Sequence, residues 1–195
     1  MLQKSGLSQS ETIYCEQIKI QNDSRGYSYT NIFGKCFDDN VTRIIVEDPY
    51  IREGYQIENF VRFCELCIRN KKCCLMKIHL ITNYDSKKEK KFQEKKFEVL
   101  KKILLQNDVE LTWTWDLHLH DREIRFDNGW IVKIGRGLDI YKKSKGESDP
   151  EDLDLRKCKK TTVDIYLIPK SSPLLNNNEL CVTMYSISPW YLSAK

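Results

Sequence analysis

Three residues near the middle of the chain have the types and spacing for phosphoryl chemistry: His120, Arg122 and Asp127, in the stretch HDREIRFD. Histidine can attack phosphorus or transfer a proton near neutral pH. A cation beside it offsets the charge that develops on phosphoryl oxygens, and the planar fork of arginine holds a phosphate well. An aspartate at the following turn can orient an imidazole or a nearby donor. Downstream, Gly135 and Gly137 in IGRGL let backbone N–H groups approach an anion. If residues 118–126 are extended, His118, His120 and Arg122 project from one face and Asp121, Glu123 and Arg125 from the other. His120 and Arg122 then converge on one phosphate. Without the glycines, an H-x-R with an aspartate nearby is also the pattern of a surface ion-pair ladder.

These residues need elements to hold them. EQIKI (16–20) reads as a short strand, and Phe33 with Phe37 marks a short helix over 29–37. TRIIVED (42–48) and LMKIHLI (75–81) read as buried strands, the first stopped at Asp48-Pro49. Between them, residues 55–69 form an amphipathic helix with Ile57, Phe60, Val61, Cys64 and Ile68 on one stripe. Glu58 with Arg62, and Glu65 with Arg69, have ion-pair spacing on its other side. Asn83 and Asp85 are expected N-caps of a second helix over 86–106, whose inner stripe includes Phe97, Leu100 and Leu104. VELTWTW (109–115) alternates as a half-buried strand does. Asp127-Asn128-Gly129 is a hairpin turn between 118–126 and 130–134. Residues 142–160 read as a loop, and 161–168 as a last strand. The strand–helix alternation predicts an α/β fold with parallel pairing and helices packed on the sheet, and the late hairpin makes that sheet mixed. No internal repeat is present. Residues 1–15 are expected to be a flexible leader, 16–170 one domain, and 171–195 a poorly ordered tail.

With 195 residues, 41% hydrophobic and 31% charged, the chain has the size and composition of a single soluble domain. No apolar run approaches the roughly 20 residues that span a bilayer. The N-terminus lacks the features of a signal peptide, so a cytoplasmic location is expected. Of the eight cysteines, Cys64 and Cys67 form a C-x-x-C with His79 as a conceivable further ligand. Their place in a helix favours reduced core residues instead, and no metal or cofactor is expected. The net charge of +4 is clustered: residues 87–102 hold eight Lys against three Glu. Such clusters favour anionic partners, or are a solvated helix face. The basic helix lacks interleaved exposed aromatics, which argues against nucleic acid stacked on it.

His120-x-Arg122-x4-Asp127 followed by Ile134-Gly135-x-Gly137-Leu138 resembles the H-x-K-x4-D motif and Gly-rich turn of the phospholipase D superfamily. One branch is closer. VEDPYIR (46–52), NFVRFCEL (59–66), HDREIRFDNGWIVKIGRGLDIYKK (120–143) and DLDLRKCKKTTVDIY (152–166) resemble the C-terminal phospholipase D-like domain of MIT-domain proteins, over roughly residues 16–168. The resemblance implies a phospholipase D-like mixed sheet flanked by helices. It also implies homodimers, association with phosphoinositide-containing membranes at the endosome or midbody, and work with ESCRT-III in cytokinetic abscission. Residues 1–15 leave no room for an MIT bundle, so ESCRT-III tail binding through such a bundle is not expected of this chain.

An active phospholipase D-type site uses two such motifs. This chain has one, with Arg122 where the enzymes have lysine, and His79 lacks a lysine two residues on. The expectation is therefore a non-catalytic membrane-binding module, with His120, Arg122 and Asp127 a vestige or half-site. The expected phosphate and head-group contacts are Arg125, Lys133, Gly135, Arg136, Gly137, Lys95 and Lys96. The alternative is a phosphodiesterase or nuclease assembled from two copies.

Overall fold

The computed structural model describes residues 14–70, 74–143 and 150–168. Seven strands form one mixed sheet in the order β1-β7-β6-β5-β2-β3-β4. They are β1 (Tyr14–Ile20), β2 (Arg43–Glu47), β3 (Lys77–Thr82), β4 (Glu110–Trp115), β5 (Glu123–Phe126), β6 (Trp130–Ile134) and β7 (Thr161–Leu167). Strands β2, β3 and β4 are parallel, while β5 pairs antiparallel with both β2 and β6. Strand β7 pairs antiparallel with β6 and β1. The helices are α1 (Tyr29–Phe33), α2 (Gly54–Arg69) and α3 (Lys87–Leu105). The expected mixed α/β architecture is thus present.

Burial follows the strand alternation. Ile44 and Val46, Ile78 and Leu80, Ile124 and Phe126, Val132 and Ile134, and Val163 and Ile165 all join one core with the helices. Phe63 of α2 packs edge-on against Phe33 and Tyr29 of α1, and Phe60 meets Phe97 of α3. Phe97 in turn lies against Trp113 and Trp115 of the edge strand β4. Buried Gln93 donates from Nε2 to the carbonyls of Ile51 (2.8 Å) and Asn83 (2.9 Å), which ties α3 to the chain leaving β2 and β3. Phe97, Leu100 and Leu104 are its buried stripe, as their spacing predicted.

Several local expectations are corrected. The N-cap of α3 is Ser86, which accepts from the N–H of Glu89. Asn83 Oδ1 instead accepts from the N–H of Tyr84 (2.5 Å), and Asp85 pairs with Arg52. On α2 the Glu65–Arg69 pair forms at 3.9 Å, and no ion pair joins Glu58 to Arg62 among the described residues. The short helix stops at Phe33 and tightens into a 3-10 turn over Gly34–Cys36. Strand β1 begins at Tyr14, inside the expected leader. The stretch 142–160 holds a 3-10 turn (Leu153–Leu155) and one end, Cys158, of a bridge to Tyr141. The expected tail, 171–195, lies outside the described residues.

At one end of the sheet, Asp48 knots three connections together. Its backbone N–H donates to Ile81 and its carbonyl accepts from the Thr82 hydroxyl at 2.7 Å. Its carboxylate accepts from the N–H of Tyr50 (2.9 Å) and, across the sheet, from that of Leu138 (3.1 Å). Gly137 lies against this carboxylate with φ +58, and a Cβ there would sit 1.9 Å from Oδ2. Burial pushes the Asp48 carboxyl up from 3.8 to about 6, against the opposing pull of the Tyr50 and Leu138 N–H groups and of Arg122.

Gly137→Ala must strain the backbone and displace a buried carboxylate. It is expected to cost about 3 kcal/mol in urea unfolding. The raised pKa means that the folded protein holds the Asp48 proton more tightly than the unfolded chain. That contribution to stability is complete below the ordinary carboxylate pKa and is lost as pH rises through about 6. Between about pH 4 and pH 7 the unfolding free energy of wild type should fall relative to that of Asp48→Asn, because the variant lacks this titration. Parallel profiles would exclude Asp48 as the titrating group.

Candidate functional site

The sheet ladder of β5 begins at Glu123, not at residue 118. The reason lies in its neighbour. Pairing with β2 ends at Glu47 opposite Glu123, where Asp48 turns to β3 and Pro49 offers no N–H. Residues before Glu123 therefore leave the sheet, apart from the Arg122 carbonyl, which accepts from the N–H of Ile134 (3.0 Å). The common strand face expected for His118, His120 and Arg122 does not form. His120 is exposed and its side chain has no hydrogen bond or ion pair among the described residues.

Arg122 is half-buried. Its guanidinium lies over the Tyr50 ring (4.3 Å to the centroid) and Nη1 donates to the carbonyl of Gly135. Asp127 sits at the opposite end of β5. Extended chain gains about 3.3 Å per residue, so the intervening strand holds Asp127 well away from His120. Its carboxylate accepts from the N–H (3.0 Å) and hydroxyl (2.5 Å) of Thr42, fastening the β5–β6 turn to the start of β2. Gly129 completes that turn at φ +106, with no space for a Cβ beside the Ile168 carbonyl.

The Gly-rich turn already holds an anion, and that anion is internal. Leu138 donates to Asp48, Gly137 to the carbonyl of Ile134, and Gly135 to that of Thr162. Arg136 donates from Nε to the Lys160 carbonyl at 3.2 Å. His120, Arg122, Lys133 and Gly135 do share the wall of an open cleft of about 300 Å³, but Asp121, Glu123 and Asp164 share it too. A larger groove of about 920 Å³, between α1, the end of α2 and the 150s, contains none of the motif residues and has both Arg62 and Arg69 and Glu151, Asp152 and Asp154 along it.

The sheet face away from the helices neutralises its own charge. Arg125 pairs with Glu47 at 3.3 Å and with Glu123, and Lys133 reaches Glu123 at 3.2 Å. Burial raises the Glu47 pKa while Arg125 pulls it back. His79 lies on this face between the hydroxyls of Thr112 (2.8 Å) and Thr114 (3.2 Å), its pKa lowered by burial and then by Arg43 and Lys77. Cys64 and Cys67 are buried in α2 on the other side of the sheet, so these three do not converge.

Helix α3 is different. Lys87, Lys88, Lys91, Lys95, Lys96 and Lys102 are all exposed, and none has an acidic partner among the described residues. Lys90 pairs with Glu94 (3.8 Å) and lies over Trp115, and Lys101 lies over Trp113. Phe92 on the same helix is 43% exposed, which corrects the expectation of no exposed aromatic there. Of the expected binding residues, Lys95 and Lys96 thus stand apart from the group around His120.

Residues 26–167 match the family described as a phospholipase D-like domain at the C-terminus of MIT. Mouse (Mus musculus) MIT domain-containing protein 1 is 44% identical over 155 residues, an overlap covering 78% of this chain and 62% of that protein. The chain therefore spans less than two thirds of its relative's length. The match runs through α2, the Asp48 knot, β5, the Gly-rich turn and β7 alike, and the chain belongs to the family of C-terminal phospholipase D-like domains of MIT proteins.

Proposed function

We propose that this domain is a peripheral membrane module that binds acidic lipids, phosphoinositides among them, without processing them. The observation that carries the reading is the set of exposed, acid-free lysines on α3. Near an anionic bilayer each well-placed lysine adds about 1 kcal/mol, within a Debye length of the surface. Elsewhere on the described fold Arg122 is committed to Tyr50 and Gly135, and Arg125 and Lys133 to glutamates, while exposed Arg136 meets only the Lys160 carbonyl.

The motif supports the non-catalytic half of the reading. One chain supplies one such motif, its histidine and aspartate lie at opposite ends of β5, and its aspartate is engaged with Thr42. Through kinship with MIT domain-containing protein 1 the proposal extends to a cytoplasmic protein acting as a homodimer beside ESCRT-III at the midbody during cytokinetic abscission. A dimer would present two α3 faces and multiply a modest affinity.

The test is flotation with phosphatidylcholine vesicles, alone or with phosphatidylserine and a phosphoinositide, while hydrolysis of a phosphodiester is followed in the same samples. Binding is expected only with acidic lipid and should weaken steeply with salt. Replacing Lys88, Lys91 and Lys95 by glutamine should lower apparent affinity by roughly a hundredfold. Equal binding to neutral vesicles would refute the electrostatic reading. Hydrolysis lost in His120→Ala would establish the alternative, a phosphodiesterase built from two half-sites.

A further inference from the structure

Helix α3 carries two apolar stripes, and the fold uses one. Phe97, Leu100 and Leu104 face the core. Phe92, Val99 and Ile103 form the other, and they are 43%, 54% and 49% exposed. Single exposed hydrophobic residues are ordinary. Three at i, i+7 and i+11 lie in one line along the helix, about 16 Å from end to end.

The charges beside this line are all of one sign. At 100° per residue, Lys91, Lys102, Lys95, Lys88, Val99, Phe92, Ile103 and Lys96 occupy roughly 140° of the helix circumference, and no acidic residue falls within that arc. Glu89 lies just beyond it and is turned to Arg52 (3.8 Å). Glu94 is paired with Lys90 (3.8 Å), and Glu98 lies just beyond the other edge of the arc, next to Lys91. The Lys96 ammonium sits 5.8 Å from the centre of the Phe92 ring, with its aliphatic stem beside the stripe. The helix packs on β4, the edge strand, so this face lies at the margin of the molecule.

From this arrangement we infer that the Phe92–Val99–Ile103 line is an insertion face, which enters the interface of an anionic bilayer while the flanking lysines hold the head groups. An apolar line edged by lysines is what a helix lying in the plane of an interface presents. Lysine stems extend along apolar surface and carry the charge out to the phosphates. A second copy of the chain fits less well, since stripe against stripe would bring lysine against lysine. The inference rests on the reading of the domain as an acidic-lipid binder and adds to it that binding has an apolar component and a defined orientation.

The experiment uses the full chain and vesicles of phosphatidylcholine and phosphatidylserine. The triple variant Phe92→Ser, Val99→Ser, Ile103→Ser should bind about tenfold more weakly than wild type while keeping its thermal unfolding transition. Because a destabilised triple variant would blur that comparison, Phe92→Trp is measured separately with lipids brominated near the head group, and should be quenched beyond the level of the four native tryptophans. Wild type that fails to bind these vesicles overturns both the acidic-lipid reading and the insertion. Wild type that binds, with no added quenching of Phe92→Trp and full binding by the triple variant, overturns the insertion and leaves the acidic-lipid reading standing. A dimer seen by sedimentation in wild type and lost in the triple variant, with vesicle binding unchanged, assigns the stripe to a second copy and overturns it too.

Discussion

The end of the sheet depends on one buried carboxylate. Asp48 lies where β2 stops, and its hydrogen bonds reach the end of β3, the Tyr50 backbone and the turn after β6. A carboxylate removed from water is costly unless its oxygens are satisfied. Here each oxygen takes a backbone N–H, and Arg122 adds a nearby positive charge. The same contact explains why the turn needs glycine at residue 137. It also explains why the turn has little to offer an external phosphate. A Gly-rich loop next to an H-x-R motif has the composition of an anion cradle, and in this fold the anion comes from the chain itself.

That constraint divides the positive charge of the molecule into two classes. Cations near the Gly-rich turn serve the fold. Arg122 stacks on Tyr50 and reaches Gly135, Arg136 holds the Lys160 carbonyl, and the open sheet face alternates acid and base until its charges cancel. Lys90 and Lys101 of α3 also lie against the fold, but the exposed lysines of that helix have no acidic partner among the described residues. A helix held by Gln93, Phe97, Leu100 and Leu104 leaves its remaining circumference free to vary. The buried knot and the exposed basic face are thereby separated in space, one at a connection between strands and the other at the edge of the sheet.

Much of the fold was legible in the sequence because its signals are local. The β-branched run at 42–48, the amphipathic period of α2 and the Asp127-Asn128-Gly129 turn each fall where expected. The candidate site was less legible because its decisive contacts are remote. Nothing near Leu138 announces that its N–H partner is Asp48, ninety positions earlier. The length of β5 is set by where β2 runs out of pairing, so its own residues predict a longer strand than forms. The outer stripe of α3 was hidden by composition: lysine outnumbers every other residue there, and Phe92, Val99 and Ile103 read as part of a polar helix until their exposure is seen.

The antiparallel pairing of β1 with β7 has a consequence for how this domain is carried by a longer chain. Tyr14 stands opposite Leu167, so the path into the domain and the path out of it meet at one corner. That corner is on the outermost strand at the far side of the sheet from β4. Six strand spacings separate the two edges, roughly 29 Å across a flat sheet. The chain therefore enters and leaves the described domain at the sheet edge opposite the one that α3 packs against, like a handle set opposite a blade.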